Sequence, residues 1–266
     1  MTVPLGIGAG IDEEGFGRVT RRYEPTLYHA MHRFLGGIGA FTLSVIAISV
    51  LLVALRRRQP VLAVAAIAVV LGSNITTQAL KVLTERRIVG DPWDQSTAFP
   101  SGHATVVLSL AVAATLVVPP RWRWTATVVG GLFATLVSGA LLAVNWHRPS
   151  EIVGAYLVVS AWAGAAIAGV LIVDSGVLVT GEDSGDRGVV SAVVAVVMAI
   201  TILVATLPIG DVYSKATARE GFATATAVCA LVAFAVLSVT TVLLQHVNGA
   251  TGVEASRRLG PAPFER

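Results

Sequence analysis

The sequence predicts an all-α fold, a polytopic membrane helix bundle with about six or seven transmembrane helices. Three observations lead to this prediction. Hydrophobic residues make up 55% of the 266 residues and charged residues only 13%, whereas a soluble domain needs far more charge on its surface. The mean hydropathy is +0.76. Seven apolar stretches come close to the length of about 20 residues that a helix needs to cross a bilayer.

The predicted spans follow one another along the chain with short polar segments between them. The first ends at three consecutive arginines, and the third ends before Pro119. The third reaches spanning length only if its helix begins at Ser101. The predicted spans are residues 34–55, 61–83, 101–118, 124–146, 149–173, 189–207 and 222–244.

These spans divide the chain into four parts. Residues 1–33 form an N-terminal tail, and the segment 23–34 at its end is either an interfacial helix or a plain linker. Residues 34–173 form a membrane core, 174–246 add two further transmembrane helices, and 247–266 form a C-terminal tail. The two added helices either pack beside the core or provide the surface of a homo-oligomer.

Four polar positions meet at one membrane face when the spans alternate in direction. Lys81 ends the second span, and His103 begins the third. His147 ends the fourth span, and Glu151 begins the fifth. The loop 84–100 lies at the same face. We therefore expect an active site at this membrane interface.

The opposite face is rich in arginine, which the positive-inside rule assigns to the cytoplasm. The chain is therefore predicted to be a multi-pass protein of the cell membrane with an extracytoplasmic active site. The arginines of the opposite face are Arg56, Arg57, Arg58, Arg121 and Arg123.

The turn Pro100-Ser101-Gly102-His103 precedes an apolar helix. Serine is a good N-cap, and a helix N-terminus with free N–H groups binds phosphate readily. Gly102 allows an anion to approach the backbone, and His103 can exchange a proton beside it. The same turn is also consistent with a simple capped helix that carries an interfacial histidine.

A second polar motif, His147-Arg148-Pro149-Ser150-Glu151, begins the fifth span. His147 and Glu151 are four residues apart and can meet across one helical turn. A carboxylate bound to one ring nitrogen leaves the other free to attack an electrophile. The alternative is an interfacial His-Glu pair without catalytic function.

Three cations accompany these motifs at the same face. Arginine binds phosphate in a bidentate manner, and lysine adds a point charge. Each of them is equally consistent with a basic anchor that reaches the lipid headgroups. They are Lys81, Arg86 and Arg87.

Taken together, these motifs resemble those of the type 2 phosphatidic acid phosphatase superfamily of membrane lipid phosphatases. That family shows Lys followed by Arg-Pro, then Pro-Ser-Gly-His, then Ser-Arg, five residues, His, three residues and Asp. The matches here are Lys81 with Arg86 or Arg87, PSGH at 100–103 and HRPSE at 147–151. The resemblance covers residues 60–173, under half of the chain.

The resemblance implies hydrolysis of a lipid phosphate or pyrophosphate through a phosphohistidine, without a metal or other cofactor. His147 is then the nucleophile, Glu151 orients it, and His103 protonates the leaving oxygen. The implied phosphate-binding residues are Lys81, Arg86, Arg87, Ser101 and Gly102.

The sequence departs from the family pattern at three places. The first motif reads KVLTERRIVGDP and has no Arg-Pro pair. The position of the Ser-Arg pair is occupied by Ala140 and Leu141, which leaves Arg148 as the candidate for the missing phosphate contact. Glu151 replaces the aspartate.

Other classes of protein remain as alternatives. A catalytically impaired lipid-phosphate-binding or carrier protein is consistent with the missing arginine. A zinc enzyme using His103, His147 and Glu151 is disfavoured by the nearby cations. Ion transport is disfavoured because the middles of the spans have almost no ionisable residues. Nucleic acid is not an expected partner, since the net charge is only +3 and no Lys/Arg tract occurs. The expected partners are the bilayer and a lipid phosphate.

Overall fold

The computed structural model describes residues 25–38, 40–83, 99–144, 146–175 and 218–258, and within these ranges it is helical without β-strands. The all-α prediction is therefore confirmed. The described helices are α1 (Pro25–Gly37), α2 (Ala40–Arg56), α3 (Pro60–Leu83), α4 (Gly102–Val117), α5 (Arg123–Ala143), α6 (Pro149–Ser175) and α7 (Ala218–Arg258), with a 3₁₀ turn at Pro120–Trp122 before α5.

Four of the described segments are long and apolar enough to cross a membrane, namely Pro60–Leu83, Pro120–Ala143, Pro149–Val173 and Phe222–Gln245. The predicted spans 34–55 and 101–118 correspond to the shorter apolar helices Ser44–Arg56 and Gly102–Val117. The predicted span 189–207 lies outside the described residues. Within the described residues, four helices are thus long and apolar enough to cross a membrane, and the six or seven spans that the sequence predicts are not confirmed.

The outer surface of α3 shows why these helices suit a bilayer. Val64, Leu71 and Ile75 are 66%, 56% and 67% exposed, and they share one side of the helix. The side that faces the bundle instead carries Ser73 and Thr77, which are fully buried. An apolar exterior around a partly polar interior is the arrangement expected of a helix in contact with lipid.

The central helix of the bundle is α4, because it contacts α2, α3, α5, α6 and α7. Eleven of its 16 residues are buried, which explains why it is apolar on all sides. Small residues allow its neighbours to pack closely. A Cβ atom on Gly130 of α5 would lie 2.8 Å from the Cβ of Ala111.

The described helices run in alternating directions from α2 to α6. At one end of the bundle, the end of α3 meets the start of α4, and the end of α5 leads into the start of α6. At the other end, Arg57, which follows α2, donates from Nη1 to the carbonyl of Val117 at 2.7 Å. That bond satisfies a carbonyl at the C-terminus of α4 and is favoured by the helix dipole.

The last helix, α7, packs against α4, α5 and α6 and belongs to the same bundle. It is antiparallel to α5. Thr226, near the start of α7, lies beside Gly139, whereas Arg123 at the start of α5 donates to the carbonyl of Leu244 at 3.0 Å. Because α6 is also antiparallel to α5, α6 and α7 run parallel to each other.

The N-terminal segment, for which the sequence allows either a helix or a linker, is helical. It forms α1, which packs against α5. Leu35 is 1% exposed, and Tyr28, Met31 and Phe34 pack against the same core. The inner side of α1 is thus attached to the bundle at the end where α5 joins α6.

Candidate active site

The N-terminus of α4 is capped as the sequence predicts. Ser101 has extended backbone angles, φ −65° and ψ 118°, and its Oγ accepts the N–H of Ala104 at 3.3 Å. Its carbonyl accepts both the N–H of Thr105 at 3.0 Å and the Thr105 hydroxyl at 2.8 Å. Ser101 is fully buried, whereas Gly102 and His103 are partly exposed. The first turn of α4 is therefore partly accessible from the end of the bundle.

Lys81 brings a positive charge to this first turn. It lies in the last turn of α3, and a Cβ atom on Gly102 would be 3.3 Å from its Nζ. Any side chain at position 102 would therefore crowd the ammonium group. The backbone N–H groups of a helix N-terminus and an adjacent ammonium form a surface suited to an anion.

His147 and Glu151 form the hydrogen-bonded pair that their spacing predicts. The His147 Nδ1 and Glu151 Oε2 atoms are 2.9 Å apart, and the two side chains are 10% and 13% exposed. The same carboxylate oxygen accepts the N–H of Arg148 at 3.1 Å. Because a carboxylate only accepts hydrogen bonds, Nδ1 is the donor in this contact, and in a neutral ring the lone pair is then on Nε2.

The two histidine motifs are held together by backbone and ring contacts. The N–H of Ser101 donates to the carbonyl of Glu151 at 3.0 Å, which joins the start of α4 to the start of α6. The ring centroids of His103 and His147 are 6.2 Å apart. Lys81 reaches the same turn, where its Nζ lies beside Gly102, the residue before His103. The structure thus brings Lys81 and both histidine motifs together at one end of the bundle, as the alternation of the spans predicts.

Not every predicted phosphate ligand can be placed. Arg86 and Arg87 lie outside the described residues. Arg148 is partly buried next to His147. Leu141, at the position where the resembled family has an arginine, is fully buried in the core. That position therefore contributes packing and no charge.

Two residues near the site were missed by the sequence reasoning. The ring centroid of Trp146 is 5.8 Å from that of His103. The His32 ring of α1 is 5.3 Å from the same indole, at an interplanar angle of 78°. Trp146 could have been predicted to lie near the site, because it directly precedes His147 in the sequence. His32 could not have been predicted in this way, because its position depends on how α1 packs.

A metal centre finds no support in the described part of the chain. Among the described residues, no three histidine, cysteine, aspartate or glutamate side chains lie close enough together to hold a metal ion. Glu151, one of the three ligands considered for zinc, is bound to the ring of His147 and to the backbone of Arg148.

Comparison with known proteins adds no relative. No family model matches the chain, and neither the curated proteins nor the solved structures include one that is significantly similar to it. The geometry of the described residues must therefore support any functional assignment.

Proposed function

We propose that the protein is a membrane lipid phosphate or diphosphate phosphatase of the kind that its motifs resemble. The observation that carries this proposal is the His147–Glu151 pair beside the capped N-terminus of α4. It combines an oriented nucleophile, a second histidine and an anion-binding helix end within one small site. Such a combination suits phosphoryl transfer better than it suits simple anion binding.

In the proposed reaction, the phosphate binds at the first turn of α4, beside Gly102 and Lys81. The Nε2 lone pair of His147 attacks phosphorus, and the bond from phosphorus to the lipid oxygen breaks. His103 gives its proton to that oxygen, so the lipid of a monophosphate leaves as an alcohol. With a diphosphate, His147 attacks the terminal phosphorus, the bond to the bridging oxygen breaks, and the lipid monophosphate leaves. The carboxylate of Glu151 stabilises the positive charge that the His147 ring acquires.

The second half of the proposed reaction regenerates the enzyme. Water attacks the phosphohistidine, and His103, now neutral, takes a proton from that water. The phosphorus–nitrogen bond breaks, inorganic phosphate leaves, and His147 recovers its lone pair. Lys81 and Arg148 neutralise part of the phosphate charge throughout, together with Arg86 or Arg87.

The proposed membrane arrangement has seven spans, with the site on the extracytoplasmic side. Parallel packing of α6 and α7 supports this number, because the chain between Ser175 and Ala218 must return to the site end before α7 begins. The apolar stretch 189–207 provides the span for that return. Basic residues at the opposite end, among them Arg57 and Arg123, support a cytoplasmic location for that end.

A second candidate function is a lipid-phosphate-binding or carrier protein without turnover. The buried Leu141 favours it, because the position that supplies an arginine in the resembled family contributes no charge here. Loss of one donor to a transition-state oxygen typically costs about 10²–10³ in rate. The two candidates share a phosphate site and differ only in whether a phosphohistidine forms.

Phosphate release from a panel of lipid phosphates and diphosphates in detergent micelles tests the proposal. His147→Ala should abolish release, and His29→Ala, which changes an exposed histidine of α1, should not. With ³²P-labelled substrate, the wild-type protein should form an acid-labile, base-stable adduct that His147→Ala lacks. Binding of the lipid without adduct or release would favour the carrier, and full activity of His147→Ala would refute the role of His147 as the nucleophile.

A further inference from the structure

Aromatic rings form a continuous series from α1 to the two histidines of the site. The Tyr28 and His32 rings have centroids 6.2 Å apart, and His32 is 5.3 Å from Trp146. Trp146 is in turn 5.8 Å from His103, and His103 is 6.2 Å from His147. The series connects an N-terminal helix, a loop and the central helix, which are far apart in the sequence.

Two contacts position Trp146, one through its backbone and one through its ring. Its backbone N–H donates to the carbonyl of Leu141 at 3.1 Å, at the end of α5. The His32 ring meets the indole almost at a right angle, and α1 itself is anchored through the buried Leu35. Edge-to-face contacts of this kind favour one ring orientation. The indole is nevertheless 39% exposed, so it remains accessible to a ligand.

We propose that Trp146, held by His32 of α1, forms the leaving-group side of the site and selects lipid esters over water-soluble phosphate esters. This inference rests on the proposed function, in which His103 protonates the leaving oxygen. The leaving group must then lie beside His103. Apart from the ring of the nucleophile His147, the described ring beside His103 is that of Trp146. A partly exposed indole offers a flat apolar surface with one polar N–H, which suits the glycerol and first acyl carbons of a phospholipid.

Two substrates with the same leaving oxygen separate this role from a general loss of structure. Dioleoyl phosphatidate and glycerol 3-phosphate share the glycerol oxygen and differ in the acyl chains. Trp146→Ala should lower kcat/KM for phosphatidate by about 10-fold, the effect of losing a good aromatic contact, and should change that for glycerol 3-phosphate by less than about 3-fold. Trp146→Phe should retain part of the preference.

The supporting role of His32 is tested by the same ratio. His32→Ala should reduce the preference for phosphatidate in the same direction as Trp146→Ala, and the double variant should add little, because both changes affect one contact. Trp124→Ala is the matched control. It removes a tryptophan that is 47% exposed at the far end of α5, and it should leave the ratio unchanged.

A binding measurement keeps the inference testable even if the protein has no turnover. In the His147→Ala background, addition of dioleoyl phosphatidate should shift the indole emission to shorter wavelength, and glycerol 3-phosphate should not. The shift should disappear in His147→Ala/Trp146→Phe. Absence of hydrolysis by the wild-type protein would refute the proposed function alone. An equal loss for both substrates, or an emission shift that survives removal of Trp146, would overturn the role of Trp146.

Discussion

The hydroxyl groups of Thr77 and Thr105 lie 2.9 Å apart across the interface of α3 and α4. They are one helical turn further into the bundle than Lys81 on α3 and Ser101 on α4. Thr105 donates to the carbonyl of Ser101, so its own oxygen accepts the hydrogen of Thr77. These hydrogen bonds join α3, the helix that carries Lys81, to the capped end of α4.

We expect Thr105→Val to weaken this arrangement more than its loss of one hydroxyl suggests. It leaves the buried Thr77 hydroxyl without its partner, which costs about 1–3 kcal/mol. Thermal unfolding in detergent should show the loss, and KM for the lipid phosphate should rise because Lys81 is less well placed. The double variant Thr77→Val/Thr105→Val should recover part of the stability. A double variant no more stable than Thr105→Val would contradict this account.

Glu151→Gln should separate orientation of His147 from stabilisation of its charge. A glutamine amide oxygen can still accept from His147 Nδ1, so the melting temperature should change little. The neutral amide cannot stabilise a charged imidazole ring, and kcat should fall by about 10²–10⁴-fold. Glu151→Asp keeps the charge on a shorter side chain and should lose less activity. Wild-type kcat in the glutamine variant would mean that the carboxylate has no catalytic role.

Gly102→Ala should impair phosphate binding without unfolding the protein. The new Cβ atom would lie 3.3 Å from Lys81 Nζ, and the flexible lysine can move away at little cost in stability. We therefore expect an unchanged melting temperature and a KM raised by several-fold, on the order of 1 kcal/mol of binding. Gly164→Ala is a suitable control, since a Cβ atom there meets nothing within 4 Å. Equal KM values for the two variants would mean that phosphate does not bind against the backbone at Gly102.

The proposed orientation can be tested with single cysteines in a Cys229→Ala background. Cys229 is the one cysteine of the chain and is buried, so its removal simplifies labelling. His29→Cys is on the site end, and Arg121→Cys is on the opposite end, with both positions exposed. A membrane-impermeant maleimide should label position 29 in intact cells and position 121 only after permeabilisation. The reverse pattern would place the site in the cytoplasm.

Local chemistry made part of the site predictable from sequence. The serine cap of α4 and the His147–Glu151 pair each depend on residues within four positions of one another. The proximity of Lys81 to Gly102 followed from counting spans, which requires only that neighbouring helices alternate. Contacts between distant elements were not predictable in this way. His32 contacts Trp146 only because the apolar side of α1 packs on α5. No residue spacing within the sequence indicates which helix α1 packs against.

The count of membrane spans was harder to predict than the helices themselves. The hydropathy pattern predicts spans at α2 and α4, but the apolar helices found there are shorter than the four candidate spans. Helix ends are determined by particular contacts, such as the Ser101 cap and the bond from Arg57 to Val117. Hydropathy alone does not resolve such contacts.

The shortness of α4 also has a consequence for depth. Its 16 residues are about 24 Å long, whereas the apolar core of a bilayer is about 30 Å thick. Arg57 holds the C-terminal end of α4 at the opposite face, so in the proposed arrangement the missing length falls at the end that carries His103. The phosphate must then descend several ångströms below the headgroup plane. A phosphate attached directly to a membrane-anchored alcohol can make that descent, whereas one carried on a long polar headgroup stays in the water above it.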